Sequence, residues 1–446
     1  MHKQRNGQTV YSTARRSERI LIHGGRVVDP EAGIDETRNV LIDKGTIRDV
    51  LPEVPSDFNP SRIIDAAGKW VTPGLVDMHV HLREPGREDR ETIETGTRAA
   101  SAGGFTAVAC MANTNPVLDE ESKIRYVLQR GQLCTCRVYP IGSITKGLQG
   151  EELSPFGEMV RAGARGVSDD GFSVRSSSMM RHALNYSKSF GIPVICHCED
   201  SELTRGGHMN ESTMSTRLGL RGMPSIAEEI VVARDTMLAE YTGARIHIAH
   251  VSTAGSVEII RKAKQRGVRV TCESCPHYFT LTDEMLAGYD TRFKMNPPLR
   301  TPRDRAAVIE GLVDGTIDVI ACDHAPHVSE DKKDVEFEAA SFGIIGLETS
   351  LGLVLTELVH SGTLSPSEMV RKMCVTPNRI LGLGGGTLSK GAVADMTIID
   401  PDAEWTVDPD SFFSKSRNTP FGGRSLRGHA SCTILEGSVV YERNPG

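Results

Sequence analysis

The chain has 446 residues, of which 39% are hydrophobic and 24% charged, as in an ordinary globular protein and unlike a disordered chain. Its net charge of −7 argues against a protein that mainly binds nucleic acid, since such proteins carry a basic excess. No run of about 18 apolar residues is present, so we expect no membrane-spanning helix.

The cysteines and the N-terminal segment indicate the cellular compartment of the protein. Ten cysteines are too few for a disulfide scaffold, so we expect reduced thiols in a cytoplasmic enzyme. Cys272 and Cys275 form a CxxC pair, but a zinc or redox role would need a second pair or a thioredoxin-like context. The first 17 residues are basic and lack the apolar core of a secretion signal. We interpret residues 1–18 as a flexible tail, with a transit peptide as the alternative.

In chain order, two β-rich ends enclose a region of alternating strands and helices. Short β-rich runs begin near Arg19 and return from Ala394 onward. Between them, helical stretches separate eight apolar runs, at 75–81, 106–111, 137–141, 166–170, 193–198, 246–251, 268–274 and 318–323. This pattern predicts an α/β protein with a (β/α)8 TIM-like barrel over 73–383. Residues 19–72 and 384–446 would together form a small β-sandwich domain. The glycine-rich stretch 382–386 follows a helix, so we interpret it as a linker rather than a phosphate loop.

Several of the predicted strands end in imidazole or carboxylate side chains. His79 and His81 end the first strand, Asp169 and Asp170 the fourth, and His197, His250 and Asp323 lie at the ends of the fifth, sixth and eighth. A single buried histidine is usually structural. In a barrel, however, the carboxyl ends of the strands converge on one site, so five such positions together favour a metal-dependent centre.

The same residues leave room for two metal ions. His79 and His81 are two apart and share one face of a strand. A pair of ions roughly 3.5–4 Å apart needs a bridging carboxylate. No lysine lies between Lys146 and Lys188, which excludes a carboxylated lysine on the fourth strand. The bridging candidate is then Asp170 or its neighbour Asp169.

Longer motifs around these residues resemble the dihydroorotases of the amidohydrolase superfamily. The resemblance covers about residues 20–445 and follows the same order as in that family: Leu75–Gly86, Met111–Pro116, Ser168–Gly171, His197–Asp200, His250–Thr253, Lys294–Arg300, Asp323–His327 and Ser414–Pro420. The HxH pair alone is common to many metal hydrolases, whereas HxHxR with the two asparagine segments and Asp-His-Ala-Pro-His is much more specific. Ser168-Asp-Asp-Gly171 looks like the bacterial class I branch, in which aspartate replaces the carboxylated lysine.

The resemblance implies a function and a set of roles. It implies zinc, two ions per chain, and interconversion of N-carbamoyl-L-aspartate and L-dihydroorotate in de novo pyrimidine (UMP) biosynthesis. Two zinc ions would lower the pKa of a shared water to about 7, with Asp323 shuttling the proton. The implied metal residues are His79 and His81 for the first zinc, with Asp323 as its further ligand, His197 and His250 for the second, and Asp170 as the bridge. The implied substrate contacts are His81, Arg83, Asn113, Asn296 and His327, with backbone contacts from Phe342 and Gly343.

The chemistry of these side chains agrees with the implied substrate, although each has a simpler interpretation. Arginine offers a planar fork of donors to a carboxylate, and asparagine offers a donor and an acceptor to a cyclic ureide. Arg83 could instead be a surface or helix-capping residue, and Asn113 and Asn296 could be turn residues. Four further positions complete the set: His247 and His324 are expected to be structural, Glu273 is left open and His277 has no assigned role. The polar segment 329–338 is either a lid over the site or a solvated loop.

Two other functions compete with this interpretation. Hydantoinases and allantoinases share HxH and the barrel, but they usually carry a lysine where Asp170 lies. A non-catalytic dihydroorotase-like subunit that scaffolds aspartate carbamoyltransferase should have lost metal ligands, yet every implied ligand is present. A partnership with that transferase in addition to catalysis stays open, and we expect a homo-oligomer.

Overall fold

The computed structural model describes residues 3–5, 8–10 and 18–443. The strands, in chain order, are β1 Lys3–Arg5, β2 Gln8–Val10, β3 Ile20–Asp29, β4 Ile34–Asp43, β5 Thr46–Leu51, β6 Arg62–Asp65, β7 Trp70–Pro73, β8 Leu75–Val80, β9 Phe105–Cys110, β10 Arg137–Pro140, β11 Val167–Ser168, β12 Val194–Cys196, β13 Met209–Asn210, β14 Gly222–Met223, β15 Ile246–Ile248, β16 Val270–Ser274, β17 Val319–Ile320, β18 Met396–Thr406, β19 Ser425–Leu435 and β20 Ser438–Arg443.

The α-helices are α1 Ile93–Ala102, α2 Glu121–Gly131, α3 Phe156–Ala162, α4 Ser177–Lys188, α5 Thr213–Leu218, α6 Ile226–Thr242, α7 Ala254–Gln265, α8 Pro276–Thr280, α9 Pro302–Val313, α10 Ser329–Lys332, α11 Ser350–Val354, α12 Pro366–Val370 and α13 Thr376–Leu381. A π-helical turn at Leu355–Val359 continues α11, and another at Arg371–Val375 joins α12 to α13. Within the described ranges, no helix combines the length and the apolar character needed to cross a bilayer.

In the described part of the chain, eight parallel strands close into a barrel. Parallel pairing joins β8, β9 and β10, and a second parallel set runs through β11, β12, β15, β16 and β17. Two parallel bridges complete the ring, because Gly142 pairs with Val167 and Val80 pairs with His324. A helix follows each barrel strand, from α1 after β8 to α11 after β17. The (β/α)8 architecture predicted from the apolar runs is therefore confirmed.

Local signals explain where the barrel elements begin. β8 and β9 are buried along their whole length, as parallel strands covered on both faces usually are. The side chains of Thr92, Thr253 and Thr301 accept backbone N–H groups at the starts of α1, α7 and α9. At the other end of the barrel region, Gly382 closes α13 in the left-handed conformation, with φ 64°. This agrees with a linker after the last helix.

The two ends of the chain form one mixed sheet that folds into the small sandwich. β18 pairs antiparallel with β7 and β19, and β7 lies parallel to β3, so strands from before and after the barrel are neighbours. β3 changes partner along its length, from β6 to β7, and Gly25 lies where a Cβ would be 2.5 Å from Val71 Cγ2. Both ends contribute to one buried apolar core, which includes Ile20, Ile22, Val40, Val71, Met396, Ile398, Cys432 and Ile434. The predicted composite sandwich is thereby confirmed, whereas its limits at 72 and 384 stay predictions.

Two short strands, β1 and β2, lie within residues 1–18, for which the flexible tail stays a prediction. β1 pairs with β2, and β2 pairs antiparallel with β20, so these strands extend the terminal sheet. Their main-chain groups continue the ladder of hydrogen bonds beyond β20. A prediction based on the pattern of apolar side chains does not detect such pairing. Residues 1–2, 6–7 and 11–17 lie outside the described residues.

Candidate active site

A cavity of about 260 Å³ lies where the barrel strands end. It is lined by His81, Arg83, Asn113, Asp170, Gly171, His197, His250, Asn296, Asp323, Ala325, His327, Phe342 and Gly343. The structure thus brings every predicted substrate residue to one cavity. It does the same for the predicted metal residues, except that His79 is fully buried and lies beside the cavity rather than on its surface.

Three of these residues leave their strands in an unusual backbone conformation. Arg83, His250 and Asp323 have φ values of 60°, 34° and 48°, in the left-handed region that residues other than glycine rarely adopt. Such a conformation costs on the order of 1–3 kcal/mol and is characteristic of functional sites. His250 lies two residues after the end of β15, and Asp323 lies three residues after the end of β17.

The first group of ligand atoms comes from β8 and from the end of β11. His79 Nε2 lies 3.4 Å from Asp170 Oδ1, and His81 Nε2 lies 3.4 Å from Asp170 Oδ2. These three residues are buried, and their ligand atoms lie within 4.8 Å of one another. Asp323 Oδ1 lies close to both histidines, 3.0 Å from His81 Nε2 and 3.6 Å from His79 Nε2.

The second group shares Asp170 with the first. His250 Nε2 lies 3.5 Å from Asp170 Oδ1, and His197 Nδ1 lies 3.8 Å from the same oxygen. Their ligand atoms again lie within 4.8 Å of one another. One carboxylate therefore faces two histidine pairs, which is the arrangement that a bridging ligand between two cations requires.

The donor atoms of these groups fit divalent cations. Among the described residues, His79 Nε2 and Asp170 Oδ1 are buried and have no hydrogen-bond partner. Burial disfavours a charged His79, but Asp170, Glu273 and Asp323 outweigh it and hold the pKa of His79 well above its ordinary value. Burial likewise opposes ionisation of Asp170, but His79 and its neighbours hold the pKa of Asp170 well below the usual range. Imidazole nitrogens and carboxylate oxygens are ligands that zinc prefers in proteins.

Asp169, the alternative to Asp170, faces another part of the barrel. Its Oδ1 accepts the backbone N–H groups of Ile144 at 2.8 Å and Thr145 at 3.0 Å, and its Oδ2 accepts the Thr145 hydroxyl. These bonds tie Asp169 to the loop after β10. Asp170, by contrast, lies among the histidines, as the resemblance implies.

Three of the four histidines in these groups have a polar partner on the ring nitrogen that faces away from Asp170. Glu273 Oε1 lies 2.5 Å from His79 Nδ1, Asn113 Oδ1 lies 2.9 Å from His81 Nδ1, and Glu199 Oε2 lies 2.9 Å from His197 Nε2. An acceptor at one ring nitrogen places the proton there and leaves the other nitrogen free to bind a metal.

Two of these hydrogen-bond partners, Glu273 and Glu199, had no role assigned from the sequence. Glu273, which the sequence left open, lies behind His79, on the side away from Asp170, and also contacts His247 at 3.2 Å. Sequence reasoning missed Glu199, although it lies two residues after His197 on the same face of an extended segment, which is a signal for contact.

Arg83 and His327 lie side by side on the wall of the cavity, with Arg83 Nη2 3.5 Å from His327 Nε2. Burial and the nearby Arg90 lower the pKa of Arg83 to about 10, so its guanidinium stays charged at neutral pH. Burial, then Arg83, lowers the pKa of His327 to about 2. The neutral His327 donates from Nε2 to Phe342 O at 2.8 Å, and its buried Nδ1 has no partner among the described residues. This wall therefore offers a fixed positive charge and an unused acceptor.

The two predicted asparagines are both held by hydrogen bonds to neighbouring residues of the site. Asn113 donates from Nδ2 to Asp170 O at 3.2 Å. Asn296, in the cis Asn296–Pro297 step, donates from Nδ2 to Glu199 Oε2 at 2.7 Å. Asn296 lies at a bend of the chain and also lines the cavity, so the two interpretations from the sequence are not exclusive.

The backbone of Phe342 and Gly343 lines the cavity but already has partners in the protein. Phe342 O accepts His327 Nε2, Gly343 N donates to Lys294 O at 3.1 Å, and Gly343 O accepts Asn418 Nδ2 at 3.1 Å. Backbone contacts from these residues to a substrate stay a prediction. Asn418 lies in the C-terminal motif and also contacts the His327 amide, which gives that motif a supporting role.

The remaining buried histidines are held away from the cavity. His247 contacts Thr271 and Glu273, and His324 accepts Gly346 N at 3.2 Å and lies 3.4 Å from Glu91. Both sets of contacts agree with structural roles. Burial lowers the pKa of His277 to about 4, and its Nε2 has no partner among the described residues.

Comparisons with known proteins show which family the chain resembles. A family model described as Dihydro-orotase-like matches residues 68–256. The dihydroorotase of Pelotomaculum thermopropionicum is 57% identical over 424 residues, which are 95% of this chain and 99% of that protein. The dihydroorotase of Pelobacter propionicus is 55% identical over 425 residues, which are 95% of this chain and 100% of that protein.

A solved structure gives the same architecture. The L-hydantoinase (dihydropyrimidinase) from Arthrobacter aurescens matches with a TM-score of 0.86 and 27% identity, covering 96% of this chain and 97% of that one. Hydantoinases and dihydroorotases share the barrel, so this likeness supports the fold, whereas the much higher identity to the two relatives distinguishes between the families. On that identity over nearly the whole length of both proteins, the chain belongs to the dihydroorotase family.

Proposed function

We propose that this protein is a zinc-dependent dihydroorotase, which reversibly cyclises N-carbamoyl-L-aspartate to L-dihydroorotate in de novo pyrimidine biosynthesis. The observation that carries the proposal is one cavity in which Asp170 faces both histidine pairs while Arg83 lies on the wall. The group of Asp170 and the histidines suits activation of a water molecule, and Arg83 suits binding of a substrate carboxylate. The identity to named dihydroorotases supports the choice of substrate.

The metal groups would hold two zinc ions per chain. His79 and His81 would hold one, with Asp323 beside them, His197 and His250 would hold the other, and Asp170 would bridge. Zinc bound there would supply an activated water and polarise the ring amide carbonyl. The partners of the outer ring nitrogens would keep the ligand histidines in the required tautomers.

The chain's own groups would bind the substrate and move the proton. Arg83 would pair with the carboxylate that both substrates carry, and His327 Nδ1 would accept a ring N–H. Asp323 would take a proton from the attacking water and deliver it to the leaving ring nitrogen. Because microscopic reversibility requires the same residue in both directions, Asp323 would also donate in ring closure.

An Asp323→Asn variant tests this assignment in both directions. We expect it to lose hydrolysis and cyclisation together between pH 6 and 9 while retaining much of its zinc. Circular dichroism and zinc content of the same preparation control for folding. A variant that lost hydrolysis but still closed the ring at acid pH would contradict the shuttle and leave Asp323 as a ligand only.

The second candidate function is another cyclic amidohydrolase, a hydantoinase or an allantoinase. The structural likeness to the Arthrobacter hydantoinase is the observation that favours this alternative. Dihydroorotate, hydantoin and allantoin should be assayed side by side with one zinc-loaded preparation. We expect dihydroorotate to be the preferred substrate by kcat/KM, and preference for hydantoin or allantoin would overturn the proposal.

We also propose a cytoplasmic homo-oligomer. All ten cysteines are free, as expected in a reducing compartment. An apolar stripe on α6 supports association, because Ile226, Ile230, Met237 and Tyr241 lie on one helix face and are 46–77% exposed. A complex with aspartate carbamoyltransferase is a further proposal, and co-migration of the two purified enzymes tests it. A purely non-catalytic scaffold is disfavoured because the predicted ligand residues are all brought together.

A further inference from the structure

Glu199 connects two parts of the site that the proposed function treats separately. Its Oε2 accepts a hydrogen bond from His197 Nε2 at 2.9 Å and another from Asn296 Nδ2 at 2.7 Å. His197 belongs to the second group of metal ligands, and Asn296 lines the cavity as a predicted substrate contact. One carboxylate oxygen therefore holds a metal ligand and a substrate contact together.

We propose that Glu199 is a positioning residue that links the second metal position to substrate binding. The bond to His197 Nε2 keeps the proton on that nitrogen, so the lone pair of His197 Nδ1 is directed to the metal side, next to His250 and Asp170. The bond from Asn296 Nδ2 fixes the amide plane and leaves Asn296 Oδ1 as the atom available to a donor in the cavity. Loss of the carboxylate charge would loosen both side chains at once.

The surroundings of Glu199 hold it rigidly enough for this role. The Thr204 hydroxyl donates to Glu199 Oε1. The Glu199 amide donates to Ser173 Oγ at 2.8 Å, and that hydroxyl donates to His197 O at 2.7 Å. Side-chain and main-chain bonds thus fix the carboxylate relative to His197. A carboxylate acceptor forms stronger bonds than a neutral amide in the same position.

Glu273 offers a matched comparison on the other metal position. Its two oxygens contact His79 and His247, and neither contacts a residue that lines the cavity. Both glutamates orient a ligand histidine, but only Glu199 also binds Asn296. Glu199→Gln and Glu273→Gln should therefore share an effect on metal binding and differ in their effect on substrate binding.

Zinc titration, which needs no substrate, tests the proposed effect of Glu199 on metal binding. We expect Glu199→Gln to bind one of two zinc equivalents about 10- to 100-fold more weakly than the native protein in chelator-buffered titrations, and the other equivalent with native affinity. Equal weakening of both equivalents, or no weakening, would overturn the link to the second position. If Glu199→Gln does not fold, Thr204→Val removes only the bond to Oε1 and should show the same selective weakening to a smaller extent.

A double-mutant cycle tests the proposed effect of Glu199 on substrate binding. This part of the proposal rests on the proposed function. We expect Asn296→Ala and Glu199→Gln each to raise KM for dihydroorotate at saturating zinc, and the double variant to have nearly the KM of Asn296→Ala alone. Glu273→Gln combined with Asn296→Ala should give additive changes. Additive changes for Glu199 as well would overturn the link. If the native protein does not hydrolyse dihydroorotate, the proposed function fails while the zinc titration still decides the role of Glu199 toward His197.

Discussion

Asp170 is the residue on which both ligand groups depend, since its two oxygens face all four histidines. We predict that Asp170→Ala loses the second metal and most of the activity, because His197 and His250 alone provide too few ligands for zinc. Zinc content per chain and kcat, measured on the same preparation, check this.

Asp169→Ala is the matched control for that variant. Asp169 bonds to Ile144 and Thr145 and not to the histidines, so we expect near-native zinc content, although the loop after β10 loses three hydrogen bonds. Added bicarbonate should rescue neither variant, because no lysine is there to be carboxylated. The opposite pattern, with full zinc and rate in Asp170→Ala, would show that the bridge is wrongly assigned.

Arg83 is predicted to bind the substrate and not the metal. Arg83→Met should raise KM strongly and leave zinc content unchanged. Loss of a charge-assisted bidentate contact costs on the order of 2–4 kcal/mol, or roughly 30- to 1,000-fold in kcat/KM. Steady-state kinetics together with metal analysis check this, and native kinetics at equal zinc would remove Arg83 from the site.

The sequence predicted the residues of the site better than the bonds between them. His79, His81 and Asp170 could be found because strand ends in a barrel converge, which makes the position along a strand informative. The bond between Glu199 and Asn296 could not be found this way, since the two residues are 97 positions apart and an acidic residue after a strand is usually solvated. Hydrogen bonds of this kind depend on loop positions that no local pattern specifies.

At the scale of elements, the segment 329–341 is tied down by two lysines. Lys332 Nζ donates to Lys294 O and to Ser341 O, and Lys294 Nζ donates to Phe337 O and to Glu338 O at 2.8 Å. These bonds lie directly before Phe342 and Gly343 on the cavity wall. Whether residues 329–338 act as a lid stays a prediction, but the structure shows contacts that such a lid would have to break.

The burial of Lys332 predicts a pH-dependent stability. Burial, then the nearby Lys294, lowers the pKa of Lys332 to about 7 from an ordinary value of 10.5. Between these values the unfolded chain binds more protons than the folded one, so the free energy of unfolding should rise with pH by at most about 1.4 kcal/mol per unit. Lys332→Met lacks this contribution. We expect the melting temperature of the native protein, relative to that of the variant, to increase from pH 7 to 9.5; a constant difference would contradict this.

Element type was predictable where side chains carry the signal, and element length was not. The eight barrel strands follow from their apolar runs, but β11 and β17 stop at Ser168 and Ile320, before Asp170 and Asp323. Asp170 and Asp323 follow these strand ends and line the cavity. β1 and β2 were missed because β2 pairs with β20, at the far end of the chain, and β1 joins the sheet through β2.

At the scale of the whole molecule, the stripe on α6 predicts a two-fold interface. Ile226 and Tyr241 are equally distant from the midpoint between Ala233 and Arg234, as are Ile230 and Met237. Two antiparallel copies of α6 would therefore match each apolar residue with another, which is the self-complementarity that a two-fold interface needs.

Met237→Glu tests this interface, since Met237 is 66% exposed and its loss should not affect the core. We expect the variant to sediment as a smaller species than the native protein, because a charge buried between two copies is costly. Val313→Glu, at an exposed apolar position on α9, is the control. An unchanged sedimentation profile for Met237→Glu would place the interface elsewhere.

The sheet that joins both ends of the chain also constrains the order of events on the ribosome. β3 and β4 are made before the barrel, but β18 and β19, which complete their apolar core, are made after the entire barrel. Until then Ile20, Ile22 and Val40 lack part of their covering, and the edge of β7 that β18 later occupies stays open to other chains. Nascent chains stalled between the barrel and β18 should accordingly bind chaperones most strongly, and release should follow synthesis of the last strands.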